Sequence, residues 1–283
     1  SSDVCSSDLY RGLIERKVLS LEQYESIFEH AHELDLLVVM SVYDVQGADF
    51  AASHGAVALK IASSNIVHAP LIAHVAQFGL PVILDTGKST LEEIARAVQW
   101  AVDAGAKQLV IEHSPDAPPA DLTNHNLRML LTLKEAFGFP VGLSDHHHGE
   151  EMMIAATALG AAVLEKGLCV DGTPGDQDVF HALPASRLKP LTEMCTNVWT
   201  AMGRKMRYLP REREKPAARM GLVLRRPVEP GEAVSSETVT FAWPAHGIPI
   251  ECWDLVRGWQ FRTKLAPKDI LNWSDVHAPE QRG

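Results

Sequence analysis

Short apolar runs alternate with amphipathic segments over the first two thirds of the chain. Six runs rich in Val, Ile and Leu are predicted as strands: residues 36–42, 57–62, 81–84, 108–111, 141–143 and 161–164. Seven segments with helical periodicity or helix-start residues are predicted as helices: residues 19–34, 46–54, 70–78, 90–104, 127–137, 150–159 and 184–202. Continuously apolar strands that alternate with helices are typical of a parallel sheet covered on both faces.

Each predicted strand is followed by polar residues. These follow the strands in chain order as Tyr43-Asp44, Ser63-Ser64-Asn65, Asp85-Thr86-Gly87, Glu112-His113, Ser144-Asp145 and Glu165-Lys166-Gly167. A doubly wound sheet would concentrate its site at one switch point, whereas the whole C-terminal rim of a (β/α)8 barrel is polar. The pattern therefore predicts an α/β fold of the TIM-barrel type. Because such a barrel has eight strands, we expect its first two strands to lie upstream of this sequence.

Composition shifts divide the chain into five predicted segments. A non-native leader is predicted at 1–9, where Ser-Ser-Asp is repeated, and a partial TIM-barrel domain at 10–203. A charged linker at 204–220 is followed by a small, mostly β domain at 221–277 and a tail at 278–283. Short alternating segments and turn residues indicate β structure in the small domain. Large aromatic side chains can fill a small core, so we expect much of that core to come from Trp243, Trp253, Trp259 and Trp273.

Charge and cysteine content exclude several classes of protein. The formal net charge is −10 over 283 residues, and the absence of a clear basic face argues against nucleic acid as a partner. No apolar run is long enough to predict a membrane span. The four cysteines show no metal-ligand spacing, which favours a reducing, cytoplasmic setting.

The segment 140–149 carries the strongest local indication of a functional site. An apolar run from Pro140 turns abruptly polar at Ser144, continues through Asp145 and three histidines, and precedes a predicted helix. Catalytic groups lie at the C-termini of parallel strands, and helix N-termini bind anions. The alternative is a histidine-rich surface turn, and the position after a buried strand favours a site.

Several motifs together resemble the N-acetylneuraminate (sialic acid) synthase family. In the predicted barrel they are Lys60-Ile-Ala-Ser-Ser, Pro81-Val-Ile-Leu-Asp-Thr-Gly-Lys-Ser-Thr-Leu-Glu-Glu-Ile, Pro140-Val-Gly-Leu-Ser-Asp-His and Leu164-Glu-Lys. The C-terminal motifs resemble the family's antifreeze-like (SAF) domain: Arg225-Arg-Pro-Val-Glu-Pro-Gly-Glu-Ala-Val, Pro244-Ala-His-Gly-Ile and Val256-Arg-Gly.

The resemblance implies an enzyme of surface-carbohydrate biosynthesis. Such enzymes condense phosphoenolpyruvate with an N-acylated amino sugar of the N-acetylmannosamine type, releasing phosphate and a 2-keto-3-deoxy sugar acid. It further implies a divalent metal, Mn²⁺ or Mg²⁺, that polarises the sugar aldehyde. It also implies a homodimer in which the antifreeze-like domain of one chain covers the barrel mouth of the other.

Phosphoenolpyruvate requires a cation together with hydroxyl or amide donors. The candidate substrate-binding residues are Lys60, Ser63, Thr86, Gly87, His113 and Ser144. A buried, unpaired ammonium is costly, so Lys60 is expected either to bind the ligand or to form a salt bridge with a rim carboxylate. The candidate catalytic residues are Lys60, Asp145 and Asp178.

The resemblance also implies where the metal binds. His146 matches a metal-binding histidine of the family, and Asp145 is expected to orient it, while His147 and His148 are expected to face solvent. Gly167 stands where the family has its second metal-binding histidine. We expect His181, in the following loop, to replace it.

Other positions also depart from the family pattern. They are Asp85 in place of a serine beside phosphate, Asn65 in place of an acidic residue, Pro118-Pro119 in place of Tyr-Pro, and Trp243 in place of an arginine that reaches the sugar. These departures leave two rival hypotheses open. One is an aldolase-type barrel enzyme that does not use phosphoenolpyruvate, and the other is a non-catalytic sugar-binding homologue.

Overall fold

The computed structural model describes residues 18–115, 121–175, 179–206 and 219–279. The chain forms two compact units, one ending at Gly203 and one beginning at Arg204. The predicted leader and most of the predicted linker lie outside the described residues. No helix in the described ranges is both long enough and apolar enough to cross a membrane.

The first unit alternates strands and helices. Its helices are α1 (Leu21–Glu33), α2 (Val45–Ser53), α3 (Ala69–Ala76), α4 (Leu91–Asp103), α5 (Met129–Phe137), α6 (Glu151–Ala158) and α7 (Ala185–Met202). Its strands are β1 (Val39–Val42), β2 (Ala58–Ile61), β3 (Val82–Asp85), β4 (Leu109–His113), β5 (Val141–Asp145), β6 (Val163–Lys166), β7 (Leu168–Cys169) and β8 (Leu183–Pro184). Capping boxes at Ser20 and Thr90 start α1 and α4, as their sequences predict.

Strands β1 to β6 form one curled parallel sheet in which spatial order equals sequence order. Right-handed crossovers between successive parallel strands place their helices on the same side of a sheet. A doubly wound sheet would reverse its order at a switch point, and the described strands contain no such reversal. The predicted α/β class and its six parallel strands are therefore confirmed.

Alternation along each strand separates a helix-covered face from a polar face. In β2, Leu59 and Ile61 belong to the main hydrophobic core, whereas Ala58 does not. In β3, Leu84 belongs to that core and Ile83 does not. Lys60 lies between Leu59 and Ile61 and therefore projects to the face that the helices do not cover.

Two expectations about the strands are wrong. The edge strand β1 begins at Val39, and Leu36 and Leu37 before it are exposed, because an edge strand has a neighbour on one side only. Strands β3 to β6 also extend further at their C-termini than predicted. Ser144 and Asp145 are buried residues of β5 rather than parts of the following turn.

The second unit is a small β structure built on two antiparallel pairs. Strand β9 (Gly221–Leu224) pairs with β10 (Val239–Ala242), and β11 (Gln260–Phe261) pairs with β12 (Val276–His277); the short helix α8 spans Trp253–Val256. The core consists of aliphatic side chains and Phe261.

The expectation that four tryptophans supply much of this core holds for two of them only in part and is wrong for the other two. Trp253 and Trp259 are partly buried and pack against the core, whereas Trp243 and Trp273 are exposed. The aliphatic residues are small enough to interdigitate between the short strands, which leaves the indoles at the periphery.

Gly142 in β5 generates a prediction about sheet packing. A Cβ atom at Gly142 would lie 3.1 Å from both Cβ and the carbonyl oxygen of Val163 on β6, and 3.4 Å from Oε1 of Glu112. Because the backbone of β6 cannot easily move, we expect Gly142→Ala to lower the free energy of unfolding by about 1–2 kcal/mol, as measured by urea denaturation.

Gly175→Ala provides the control for this prediction. No heavy atom of the described residues lies within 4 Å of a Cβ atom at Gly175, so its substitution should change stability by less than about 0.5 kcal/mol. Equal effects of the two substitutions would show that β5 and β6 have room for a larger residue.

Candidate active site

The side chain of Lys60 on β2 contacts carboxylates from three other strands. Its Nζ lies 3.0 Å from Oδ2 of Asp85 on β3 and 2.8 Å from Oε2 of Glu112 on β4. It also lies 2.6 and 2.7 Å from the two carboxylate oxygens of Glu165 on β6. Ser144 on β5 donates a 2.9 Å hydrogen bond to Oε1 of Glu165. Strands β2 to β6 thus each contribute one residue to this group, which we call the Lys60 cluster.

Strand register explains why these five side chains meet. Asp85 pairs with Glu112, Glu112 pairs with Gly142, and Ser144 pairs with Glu165 across neighbouring strands. Paired residues of adjacent parallel strands project to the same face. The cluster is therefore a transverse row of side chains on the polar face of the sheet.

The charges in the cluster perturb one another. Burial alone would lower the pKa of Lys60, but the carboxylates of Glu112, Asp85 and Glu165 outweigh burial and raise it well above its usual value. Burial raises the pKa of Glu112 to about 7, and the ammonium of Lys60 opposes that rise. The Glu112–Lys60 contact is short, but neither carboxylate oxygen of Glu112 accepts an aligned hydrogen bond from the described residues.

A cavity of about 610 Å³ opens above the cluster. Its lining includes five of the predicted site residues: Lys60, Ser63, Gly87, Ser144 and His146. Asp85, Lys88 and Glu165 line the same space. The structure thus brings together residues that follow or end four different strands.

Thr86 and His113 do not line the main cavity, so their predicted role in substrate binding stays a prediction. Both line a separate polar cavity of about 490 Å³ on the other side of the loop after β3. The Thr86 amide and hydroxyl both donate to the carbonyl oxygen of Glu112, each at 3.0 Å. His113 Nε2 lies 2.7 Å from the carbonyl oxygen of His125, and burial lowers the pKa of His113.

Gly87 lines the main cavity but does not offer the predicted free amide. Its N–H donates a 3.0 Å hydrogen bond to Oδ1 of Asp85, so this donor is already used. A Cβ atom at Gly87 would lie 3.1 Å from Cβ of Ser63 and 3.3 Å from Cβ of Ser114. The glycine therefore lets the loop after β3 pack closely against the loop after β2.

Asp145 stabilises the turn after β5 and does not contact the His146 ring, contrary to expectation. Its Oδ2 accepts a 2.7 Å bond from Lys166 Nζ, and its Oδ1 accepts a 3.0 Å bond from the His147 amide. Lys166 also donates to the carbonyl oxygens of His147 and Gly149. Because Asp145 and Lys166 alternate with Ser144 and Glu165, they occupy the opposite face of the sheet.

His146 and His181 approach each other beside the main cavity. Their ring centroids are 5.0 Å apart, and both side chains line a space of about 270 Å³ that also touches Glu165 and Gly167. Nδ1 of His146 is buried and accepts or donates no hydrogen bond within the described part of the chain. Asp178 lies outside the described residues.

The described residues fit a metal ion in part. They contain no group of three or more His, Cys, Asp or Glu side chains arranged to hold one. Two neighbouring imidazoles are nevertheless suitable ligands for a first-row divalent ion, and a carboxylate could complete such a set. The prediction that His181 replaces a metal-binding histidine at position 167 therefore stays a prediction, and the proximity of His146 and His181 agrees with it.

The other two histidines of the triplet differ from each other. His147 is largely buried and its Nε2 lies 2.8 Å from Oε1 of Glu151, so the expectation that it faces solvent is wrong. His148 is exposed, as expected, and its Nδ1 lies 2.8 Å from the carbonyl oxygen of Phe180.

The structure shows which partners Asp85 and Asn65, two departures from the family pattern, contact. The carboxylate of Asp85 is balanced by Lys60, and Asn65 donates a 3.3 Å bond to the carbonyl oxygen of Tyr43. Among the described residues, a Cβ atom at Gly167 would meet only ordinary contacts with Ala182, at 3.6 Å or more. Pro118-Pro119 lies outside the described residues.

Residues 4–207 match the NeuB family, and residues 219–277 match the SAF domain. The chain belongs to the NeuB family. The resemblance inferred from the motifs is thereby confirmed for both parts of the chain.

Relatives extend along most of this NeuB-family chain. An uncharacterised protein of Methanocaldococcus jannaschii is 30% identical over 273 residues, which cover 94% of this chain and 80% of that protein. The N,N'-diacetyllegionaminic acid synthase of Campylobacter jejuni is 28% identical over 261 residues, covering 91% and 77%. The crystal structure of the N-acetylneuraminic acid (sialic acid) synthetase from Leptospira borgpetersenii superposes with a TM-score of 0.68 at 25% identity, covering 74% and 73%.

Residue patterns predicted no individual role for Glu112, Glu165 or Lys166. All three stand at strand ends, where the polar pattern was visible. The sequence offered one signal for the two carboxylates: a lysine within a buried strand needs anionic partners. Glu112 and Glu165 are such partners and lie within 2.8 Å of Lys60 Nζ. Their pairing depends on strand register, which the pattern alone does not determine.

The buried Asp145–Lys166 pair generates a prediction about stability. Lys166→Met would leave the Asp145 carboxylate buried without its cation, which should cost about 3–5 kcal/mol of unfolding free energy in urea titrations. As the control, Arg187→Met removes an ion pair with Glu150 that is much more exposed, and should cost no more than about 1 kcal/mol. Similar costs for both would contradict the assigned role of Lys166.

The raised pKa of Glu112 generates a prediction about pH. A carboxyl whose pKa is raised on folding stabilises the protein below its unfolded-state pKa, and this contribution is lost as pH rises toward 7. Glu112→Gln should therefore gain about 2 kcal/mol relative to the unmodified chain between pH 5 and pH 8. Urea unfolding of both proteins at the two pH values measures this change, and a constant difference would refute it.

Proposed function

We propose that this chain condenses phosphoenolpyruvate with an N-acylated amino sugar and releases phosphate and a 2-keto-3-deoxy sugar acid. The observation that supports this most is the single cavity that contains Lys60, Ser63, Ser144 and His146. Related proteins of the family are named as synthases of legionaminic, pseudaminic and sialic acids. The curled parallel sheet is, in this proposal, the major part of a TIM-type barrel.

The cluster residues would divide the binding of phosphoenolpyruvate among them. Lys60 supplies the cationic charge for the phosphate, while Ser63 and Ser144 supply hydroxyl donors. Glu165 forms an ion pair with Lys60, but its side chain is 46% exposed and can rotate away. Asp85 and Glu112 are nearly inaccessible and would stay beside the ammonium.

His146 and His181 would hold the divalent metal of this proposal, with Asp178 as the carboxylate. When bound, such an ion stabilises the negative charge that develops on the aldehyde oxygen as the new carbon–carbon bond forms. The buried Nδ1 of His146 and the neighbouring imidazole of His181 support this assignment. The proposal also includes a cytoplasmic homodimer in which the SAF domain of one chain covers the barrel mouth of the other.

One observation favours the rival, an aldolase-type enzyme that does not use phosphoenolpyruvate. Three carboxylates already surround the single ammonium of Lys60, and a highly charged phosphate ester would meet their repulsion. The two hypotheses differ in whether phosphate is released.

A phosphate-release assay separates these functions. The chain is incubated with phosphoenolpyruvate, Mn²⁺ and N-acetylmannosamine or other N-acylated amino sugars, and phosphate and keto acid are both measured. Equal amounts of both support the proposal. A parallel reaction supplies a 2-keto-3-deoxy sugar acid alone, and its cleavage without phosphate turnover would support the aldolase alternative. Sugar binding by calorimetry without turnover in either reaction would support the non-catalytic alternative.

Substitutions test the assignment of the metal-binding histidines. His146→Ala should raise the Mn²⁺ concentration needed for activity by about 100-fold or more, whereas the exposed His148→Ala should change it little. Because a Cβ atom fits at position 167, Gly167→His should tighten Mn²⁺ binding. Activity that is indifferent to chelators would rule out the metal part of the proposal.

A further inference from the structure

The balance of charge around Lys60 poses a problem for an anionic ligand. One ammonium faces the carboxylates of Asp85, Glu112 and Glu165 at 2.6–3.0 Å. A phosphate ester that approaches the same ammonium adds at least two further negative charges. Close like charges in a poorly solvated site are strongly unfavourable, so binding requires that some negative charge be removed or neutralised.

The three carboxylates differ in how they can respond. Glu165 is half-exposed and can turn toward solvent when a ligand arrives. The Asp85 side chain is 9% exposed, and its Oδ1 accepts a hydrogen bond from the Gly87 amide that holds it in place. The Glu112 side chain is completely buried and cannot turn away, so the response open to it is to accept a proton.

The surroundings of Glu112 favour such a protonation. The groups that face it are Lys60 from β2, Asp85 from β3 and Glu165 from β6, while β5 presents Gly142 and the uncharged Ser144. No described donor makes an aligned hydrogen bond to either oxygen of Glu112, so the ion pair with Lys60 is the main contact that stabilises its charged form. Burial already raises its pKa to about 7, close to neutral pH.

We propose that the binding of phosphoenolpyruvate at Lys60 is coupled to the uptake of a proton from solvent by Glu112. This inference rests on the proposed function, because it takes the phosphate ester to bind at Lys60. The bound anion adds repulsion to the charged form of Glu112 and thereby stabilises the neutral form. The proton returns to solvent when the anionic group leaves the cavity, and no covalent bond of Glu112 to the ligand is involved.

Linkage gives the expected pH dependence. Above pH 7 the binding of each ligand is accompanied by the uptake of about one proton. The affinity for phosphoenolpyruvate should therefore fall by up to about tenfold per pH unit. Glu112→Gln carries a permanently neutral side chain of similar shape. It should bind phosphoenolpyruvate more tightly than the unmodified chain at pH 8, and with similar affinity at pH 6.

Isothermal titration calorimetry with phosphoenolpyruvate tests the proposal directly. Titrations at pH 8 in two buffers of different ionisation enthalpy yield the number of protons taken up. The unmodified chain should take up about one proton per ligand, and Glu112→Gln close to none. Glu93→Gln is the control: Glu93 lines the same cavity without contacting Lys60 in the described structure, so this variant should take up the same number as the unmodified chain.

Three outcomes would overturn the inference. Binding without proton uptake by the unmodified chain contradicts it directly, and unchanged uptake in Glu112→Gln would assign the proton to another group. Absence of phosphoenolpyruvate binding in every variant would instead refute the proposed function, and this inference with it.

An infrared difference measurement needs no substitution. Binding of phosphoenolpyruvate to the unmodified chain should produce the band of a newly protonated carboxyl group, even if Glu112→Gln folds poorly. Absence of that band while the ligand is bound would overturn the proposal.

Discussion

The ion pairs of one buried ammonium with three carboxylates organise the polar face of this protein. Lys60 lies within 3.0 Å of oxygen atoms from three other strands, so its position depends on the relative register of most of the sheet. Removing one member of a buried ionic group leaves uncompensated charge and is costly. The cluster therefore couples the geometry of the site to the stability of the sheet.

Alternation along the strands keeps two ionic groups apart. Lys60, Asp85 and Glu112 project to the polar face, whereas Asp145 and Lys166 project to the other face and stabilise the turn that carries His146. The first group lines or underlies the cavity, and the second holds one wall of it in place. Neighbouring residues of one strand thus belong to two separate polar groups on opposite faces of the sheet.

Much of the fold followed from residue patterns. The six apolar runs predicted the six parallel strands, because a buried parallel strand requires a continuous apolar sequence. The boundaries failed where tertiary context decides them. Leu36 and Leu37 are apolar but have no partner strand on the edge side among the described residues. Ser144 and Asp145 are polar, but they are buried in β5 beside Glu165 and Lys166.

The site was less predictable than the fold. Lys60, Ser63, Ser144 and His146 were identified from residue chemistry and motifs, and the cavity unites them. Thr86, His113 and Asp145 were assigned to the site because they follow predicted strands. In the structure each of them instead forms a hydrogen bond with another part of the protein. The carboxylates around Lys60 were missed because cross-strand pairing depends on register, and register comes from packing rather than from local pattern.

The most direct test of this account is a crystal structure of the chain with bound phosphoenolpyruvate. The account predicts the phosphate within hydrogen-bonding distance of Lys60 Nζ, with Glu165 rotated toward solvent and with Asp85 and Glu112 unmoved. A phosphate bound away from Lys60, or an unaltered Lys60–Glu165 contact in the occupied site, would contradict it.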